Sequence, residues 1–328
     1  MAGLTRNLQF LFFGSKHFGK EGYARAAATF DPSAAAARLE GRVCVVTGAN
    51  QGLGLHTSEE LARRGATLMM VCRNPERGQE AVDSVIALTG NKNVSLKVAD
   101  VSSLASIQSF AQELNEAQQP VHVLIHNAGV LVNERSTSVD GNDISFATNT
   151  LGCFVLTMLL EARLKASAPS KVIWVSSGGM LTEPLRVDDL NNSRMGTKYN
   201  GMQAYSLDKR RQVALAERFA ERWKDSGVSA YSMHPGWTKT EGVKKSIPGF
   251  YKMYQDKFRD LNQGTDTIVW LASQDDAKLT PGAFYLDRTV QEKHLSWGFG
   301  STKYSSKDVD ELWENLTKLA GSTLVMMR

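Results

Sequence analysis

From residue 41 onward two apolar patterns alternate along the chain. Short runs rich in β-branched residues, RVCVVT at 42–47, TLMMVC at 67–72 and VSLKVA at 94–99, predict buried strands. Similar runs recur at 121–125, 171–175, 228–233 and 282–286. Between them, apolar residues at three- and four-residue spacing predict helices at 53–64, 76–88, 103–117, 142–165 and 203–223, the third opened by Ser103 as N-cap. Strands separated by helices of this length require right-handed crossovers. The expected fold class is therefore α/β: a doubly wound parallel sheet of about seven strands with helices on both faces. No repeat, low-complexity linker or composition break follows residue 41, so 41–328 reads as one domain behind an N-terminal helical extension at 1–40.

That extension has a different pattern. Its first thirty residues carry Arg6, Lys16, Lys20 and Arg25 against Glu21, and LQFLFF at 8–13 is an aromatic patch. Three readings compete: an amphipathic helix lying on a membrane surface or on the main domain, an organelle transit peptide, or a helix packing its aromatic side onto the core. The corresponding locations are cytoplasmic, membrane-associated through residues 1–30, or organellar. No apolar run approaches the roughly 18 residues that would span a bilayer. The longest, 151–160, contains Gly152 and stops at Glu161.

Composition narrows the function classes. A 42% hydrophobic, 22% charged chain of 328 residues is ordinary for a globular protein. A net charge of +4 without a basic block argues against a nucleic-acid partner. Cys44, Cys72 and Cys153 lie in apolar runs without metal-ligand spacing. They read as buried free thiols in a reducing compartment, and no His/Cys cluster calls for a metal.

The candidate chemistry begins after the first strand. TGANQGLG at 47–54 puts Gly48, Gly52 and Gly54 between a strand and a helix. That is the context of a dinucleotide loop with the pyrophosphate at the helix N-terminus. The end of the second strand, Cys72-Arg73-Asn74, has no carboxylate before Glu76. An acidic residue there would bind a free ribose 2′-hydroxyl, whereas Arg73 can grip a 2′-phosphate, so NADP(H) is expected in preference to NAD(H). Asp100 suits either an adenine contact or a helix cap, the latter in competition with Ser102 and Ser103. His126-Asn127-Ala128-Gly129 lets backbone pass close to a cofactor or makes a plain turn. Tyr205 and Lys209 are one helical turn apart. An ammonium held near the phenol would lower its pKa from about 10, giving a proton donor or acceptor near neutral pH.

In order along the chain, TGANQGLG, Asp100, Asn127-Ala128-Gly129, Asn149, Ser176-Ser177, Tyr205-x-x-x-Lys209 and Pro235-Gly236 resemble the short-chain dehydrogenases/reductases over roughly 41–290. VSSGGML at 175–181, MHPGW at 233–237 and the leader with Gly22-Tyr23 are similar to one branch of that family. The resemblance implies a Rossmann sheet and an oxidoreductase that moves a hydride between a nicotinamide and a carbonyl or alcohol. It implies a catalytic tetrad. Asn149 holds a water and the active-site helix, and Ser177 bonds the substrate oxygen. Tyr205 is the general acid/base, and Lys209 lowers its pKa and binds the nicotinamide ribose. It further implies cofactor contacts from Thr47, Gly48, Asn50, Gln51, Gly52, Leu53, Gly54, Asp100, Val101, Asn127, Ala128, Gly129, Pro235, Gly236 and Thr240, with Asn149, Tyr205 and Lys209 shared between both roles.

Two departures bear on function. His126 stands where asparagine is common and reads as a satisfied structural histidine. Ser177 and Tyr205 are 28 positions apart, and the extra segment, including 185–190 and 199–201, is expected to form a substrate lid or wall. The aromatic and Met-rich stretch from Trp237 to Tyr254 either covers a lipophilic small-molecule substrate or caps the core. The rival function is a non-catalytic NADP(H)-binding sensor or structural subunit. The helices at 142–165 and 203–223 pair in homodimers of many relatives; here their outer faces are read as carrying Arg210, Arg211, Glu217 and Glu221.

Overall fold

The strand-forming runs assemble into one sheet. In this computed structural model, which describes residues 2–294 and 301–325, the strands are β1 (Val43–Thr47), β2 (Thr67–Cys72), β3 (Val94–Val98), β4 (Val123–His126), β5 (Ser170–Val175), β6 (Val228–Met233), β7 (Phe284–Leu286) and β8 (Thr289–Gln291). Their order is β3-β2-β1-β4-β5-β6-β7-β8, parallel except for the last pair. β8 was not anticipated: it has three residues, none of them buried. It returns through Asp287 and Arg288, both at positive φ (50° and 59°), the conformation a two-residue hairpin needs.

Alternation along the strands divides the core. Val46, Met70, Ile125, Ile173 and Tyr231 pack with Leu61, Val82, Val85, Ile268 and Leu271. Their helices are Gly52–Arg63, Pro75–Thr89 and Leu261–Ser273. Val45, Val71, Leu124, Trp174 and Ala230 face Ile107, Phe110, Phe154, Leu215, Phe219 and Leu312 on the other side. Cys44, Cys72 and Cys153 are buried free thiols within these layers. Strand order reverses between β1 and β4, which opens a crevice at their C-terminal ends.

The helix expected over 142–165 is segmented. Ile144–Phe146 runs into a π turn at Ala147–Leu151, then Gly152–Leu159 and Glu161–Ala166 follow. The π turn carries Asn149. Local widening of a helix of this kind is frequent at functional sites. At Gly152 a Cβ would fall 1.8 Å from the Val101 carbonyl oxygen, so the helix presses against the loop after β3 there.

Two of the charges expected on the outer face of the helix Gly201–Arg222 are instead buried. Arg210 and Arg211 are each 0% exposed. The Ser177–Tyr205 segment lies over them and supplies carbonyl acceptors. Arg210 donates to Glu183 O at 3.1 Å, and Arg211 to Arg186 O, Asp189 O and Leu190 O at 3.1–3.3 Å. Arg211 also pairs with buried Asp208 at 2.8 Å. The C-terminal helix Ser306–Ala320 covers more of the same layer: Trp313 meets Phe154 and Phe219 edge-on at 5.0 and 4.8 Å. Arg210 and Arg211 are thus covered by the chain itself, whereas Glu217 is half-buried and Glu221 exposed.

The leader forms two helices, Ala2–His17 and Lys20–Ala27, with Phe10 and Phe13 against Phe18 and Phe12 facing outward. Phe18, between them, is 2% exposed. Trp237 N donates to Phe18 O at 2.7 Å. Arg259, itself buried, donates to Phe18 O and His17 O at 2.8 and 2.9 Å and forks onto Asp287. Arg6 Nε reaches Thr182 O at 2.9 Å.

Candidate active site

The crevice starts at the glycine loop. Gly48 has φ +63°, and a Cβ there would approach Ala128 Cα to 2.9 Å; a Cβ on Gly54 would lie 2.2 Å from Gly48 O. Only glycine permits this packing. Gln51 is the N-cap of the helix Gly52–Arg63 but gives it no side-chain bond, whereas Asn74, Ser103 and Asn200 cap theirs. A backbone cradle ending in helix N–H groups without a side-chain cap fits a diphosphate. Asn50 and Leu53 are half-buried on this loop, and Gln51 is exposed. Thr240 lies across it, its Cγ2 3.8 Å from the Cβ position of Gly52.

Several predicted contact residues act on the protein itself. Thr47 Oγ1 accepts from the Asn127 and Ala128 N–H groups at 3.1 and 3.0 Å. Asn127 Nδ2 donates to Thr47 O and Gly48 O at 2.9 and 3.2 Å. These bonds lock the turn after β4 to the glycine loop. Asp100 Oδ1 accepts from Ser102 N and Oγ at 2.9 and 2.7 Å, and the following helix is capped by Ser103, as its pattern predicted. The other Asp100 oxygen lies 3.9 Å from Arg73 Nη1, with Val101 half-buried beside it. Arg77 went unremarked in the sequence. It lies in the first turn of the helix Pro75–Thr89 and donates to Gln51 Oε1 at 3.0 Å, so Arg73 and Arg77 both stand at the β2 end of the crevice.

Asn149, Ser177, Tyr205 and Lys209 converge below the loop. The Ser177 hydroxyl lies beside the Tyr205 phenol and lowers its pKa, and it caps the turn Gly178–Thr182 by accepting from Gly179 N at 3.3 Å. The neighbouring Ser176 is structural: its Oγ donates to Lys209 O at 2.8 Å. Lys209 Nζ donates to Val175 O at 2.8 Å and to Gln212 Oε1 at 3.1 Å, 5.3 Å from the Tyr205 ring centre. Gln212, not anticipated, also donates to Asn149 O at 2.6 Å, tying the π turn to the helix Gly201–Arg222. The Asn149 side chain accepts from Val130 N at 2.9 Å and donates to Val130 O at 2.8 Å. A Cβ on Gly129 would sit 3.1 Å from Asn149 Oδ1 and 3.4 Å from Lys209 Nζ, so this turn borders both.

The electrostatics differ from the expectation for Tyr205. Burial pushes its phenol up to about 12, with the Ser177 hydroxyl pulling the other way. Burial also pushes Lys209 down to about 8. The ammonium is desolvated along with the phenol and shared with two oxygen acceptors, so its presence one turn away does not outweigh burial. The phenol is therefore held in its protonated form at neutral pH. His126 is structural: Nε2 lies 2.7 Å from Thr157 Oγ1, the ring packs on Trp174, and burial lowers its pKa to about 3.

Pro235 and Gly236 follow β6. Thr238 Oγ1 donates to Pro235 O at 2.9 Å, and Gly236 has φ +74° with Arg259 packed against it. Beyond them, Trp237 packs on Phe18 of the leader and on Phe250 and Tyr254. Phe18, Met180, Leu181, Val213 and Trp237 belong to one buried cluster. The leader and the 237–254 stretch thus build one aromatic wall beside the Ser177 turn.

Comparison with known proteins gives consistent matches. A model of the family described as short chain dehydrogenase matches residues 42–185. Human dehydrogenase/reductase SDR family member 12 is 37% identical over 97% of this chain and 98% of its own length. Mouse retinol dehydrogenase 12 is 33% identical, with 87% and 88% covered. Among solved structures, an uncharacterized protein from Mycobacterium paratuberculosis superposes with a TM-score of 0.68 at 28% identity, covering 88% of this chain and 96% of that one. Pseudomonas aeruginosa RhlG, solved as an NADP complex, shares the fold at TM-score 0.61 and 19% identity, covering 78% and 96%.

Proposed function

Because the chain belongs to the short-chain dehydrogenase/reductase family of NAD(P)-binding oxidoreductases, we propose that it is an NADP(H)-dependent enzyme interconverting a lipophilic carbonyl compound and its alcohol. The observation that carries this reading is the convergence of Ser177, Tyr205, Lys209 and Asn149 under a glycine loop whose helix start has no side-chain cap. When bound, the nicotinamide supplies or accepts the hydride. In reduction, carbonyl, NADPH and a proton give alcohol and NADP⁺. Tyr205 delivers that proton to the substrate oxygen, and the Ser177 hydroxyl stabilises the charge developing on it. Lys209 holds positive charge beside the phenol, and Asn149 fixes the π turn through Val130. The protonated phenol is the form that the reductive step requires.

The absence of a carboxylate at the end of β2, together with Arg73 and Arg77, supports NADP(H). Arg73→Asp is expected to lower the NADPH/NADH ratio of kcat/KM by about tenfold or more, the loss of a charge-assisted contact plus a new repulsion. An unchanged ratio would remove the phosphate assignment. The aromatic wall of Phe18, Trp237, Phe250 and Tyr254 supports a lipophilic substrate. The direct test of function is NADPH consumption over a panel of aldehydes and ketones, repeated with NADP⁺ and alcohols. NADPH binding without turnover of any compound would favour the sensor reading instead.

The leader also supports peripheral membrane association. Among the described residues no helix is long and apolar enough to cross a membrane. Leu8 and Phe12 are 61% and 79% exposed and lie one turn apart, and Lys16 continues the stripe. Replacing both Leu8 and Phe12 by Ser should leave the melting temperature unchanged and reduce co-sedimentation with phosphatidylserine-containing vesicles about tenfold, since each buries an apolar side chain. Equal sedimentation of both proteins would exclude this face as the contact.

A further inference from the structure

Gln212 lies three residues after Lys209 on the helix Gly201–Arg222, on the same face, and is 0% exposed. Its side chain spans two members of the proton-transfer set. Oε1 accepts from Lys209 Nζ at 3.1 Å, and Nε2 donates to Asn149 O at 2.6 Å. The amide can sit only one way round. Turned over, it would set its NH2 group against an ammonium and its oxygen against a carbonyl. Nε2 also lies 4.0 Å from Cys153 Sγ.

Lys209 is itself buried, and a buried ammonium needs partners to stay charged. The titratable groups packed around it supply little charge. Tyr205 on the same helix and Cys153 on the helix Gly152–Leu159 are each pushed up by burial to about 12 and are neutral. His126 on β4 is pushed down to about 3 and is neutral as well. Asp208 attracts Lys209, but it is committed to Arg211 at 2.8 Å and to the Ser145 and Thr150 hydroxyls. The hydrogen bonds that hold the ammonium go to two neutral carbonyl dipoles, Val175 O and Gln212 Oε1. The first belongs to the backbone of β5. The second belongs to a side chain and can be removed.

We propose that Gln212 is a positioning residue for the reaction: its carbonyl keeps Lys209 charged and beside the Tyr205 ring, and its amide ties that ammonium to the π turn of Asn149. The inference rests on the oxidoreductase reading and adds to it a residue that acts through Lys209. A hydrogen bond accepted from the charged form of a base raises its pKa. Gln212 therefore opposes the burial that brings Lys209 down to about 8. Without it the ammonium loses its charge at lower pH, and the level part of the rate profile shortens from the alkaline side.

Two variants separate this role from packing. Gln212→Met keeps the length of the side chain and removes both polar ends. Gln212→Glu keeps an acceptor toward Lys209 in either protonation state. The first measurement needs no substrate: a carbon NMR pH titration of the full-length protein labelled at lysine Cε, with the Lys209 signal assigned by its absence from Lys209→Arg. Its midpoint is expected at about 8 in wild type, about one pH unit lower in Gln212→Met and not lower in Gln212→Glu. The second is the single-turnover rate of NADPH oxidation by decanal, or by whichever carbonyl of the panel the wild type reduces fastest, across the neutral and alkaline range. Its alkaline decline should move with the midpoint. The plateau should fall about tenfold in Gln212→Met, with KM for the carbonyl within about threefold of wild type. If Gln212→Met melts well below wild type, Gln212→Asn, whose amide is too short to span both partners, takes its place with the same expectation. A midpoint that coincides with wild type, or a slower reaction with an unmoved profile, leaves Gln212 a packing residue and overturns the inference. Equal acid shifts in Gln212→Met and Gln212→Glu overturn it as well. In each of these cases the oxidoreductase reading stands. Failure of the wild type to reduce any carbonyl while binding NADPH overturns that reading, and this inference with it.

Discussion

Tyr205→Phe is expected to lower kcat for carbonyl reduction by about 10²–10⁴-fold, the range that a positioned acid contributes, while NADPH affinity stays within about twofold. The substitution removes one oxygen and keeps the ring against which the Lys209 ammonium is placed. Lys209 itself remains held by Val175 O and Gln212 Oε1. Single-turnover NADPH absorbance measures the chemical step, and a fluorescence titration measures binding. Turnover within tenfold of wild type would mean that another group delivers the proton. The pH profile provides a companion measurement. With the phenol pushed up to about 12 and Lys209 down to about 8, the phenol stays protonated across the working range. The ammonium loses its charge as pH rises through its pKa. The reductive rate should therefore be level below about 8 and decline above it, with the decline belonging to Lys209.

Arg211→Met is expected to destabilise the protein by about 3–5 kcal/mol, the cost of breaking a buried ion pair from one side. Both Arg211 and Asp208 side chains are 0% exposed. Without the guanidinium, Asp208 keeps only the Ser145 and Thr150 hydroxyls at 2.7 and 3.1 Å. The carbonyls of Arg186, Asp189 and Leu190 each lose a donor. Chemical denaturation measures the change. Adding Asp208→Leu should recover a large part of it, because an apolar pair carries no uncompensated charge. A single variant within about 1 kcal/mol of wild type would show that the pair is not what secures the segment over the catalytic helix.

The strand and helix pattern was legible because a parallel sheet covered on both faces imposes continuous apolar runs. Seven strands fell where those runs lie, and β8 escaped because an exposed three-residue edge strand has no such signature. The glycine loop was legible through backbone requirements that Gly48 and Gly54 meet. Three features were hidden for a common reason. Arg210 and Arg211 read as surface charges, because most of their partners are main-chain carbonyls, which no sequence pattern marks. Gln212 is an ordinary polar residue until Lys209 and the Asn149 carbonyl are brought to it. The phenol's raised pKa reflects burial by packing from distant elements, whereas its spacing to Lys209 pointed the other way.

The helix Ser306–Ala320, with Trp313 seated on Phe154 and Phe219, has a bearing on dilution. A catalytic helix braced by a second subunit loses its support as protein concentration falls below the dissociation constant. Here the bracing surface is tethered covalently, so its local concentration does not depend on how much protein is present. The Tyr205 geometry should persist at nanomolar concentration, and specific activity should be independent of enzyme concentration over several decades.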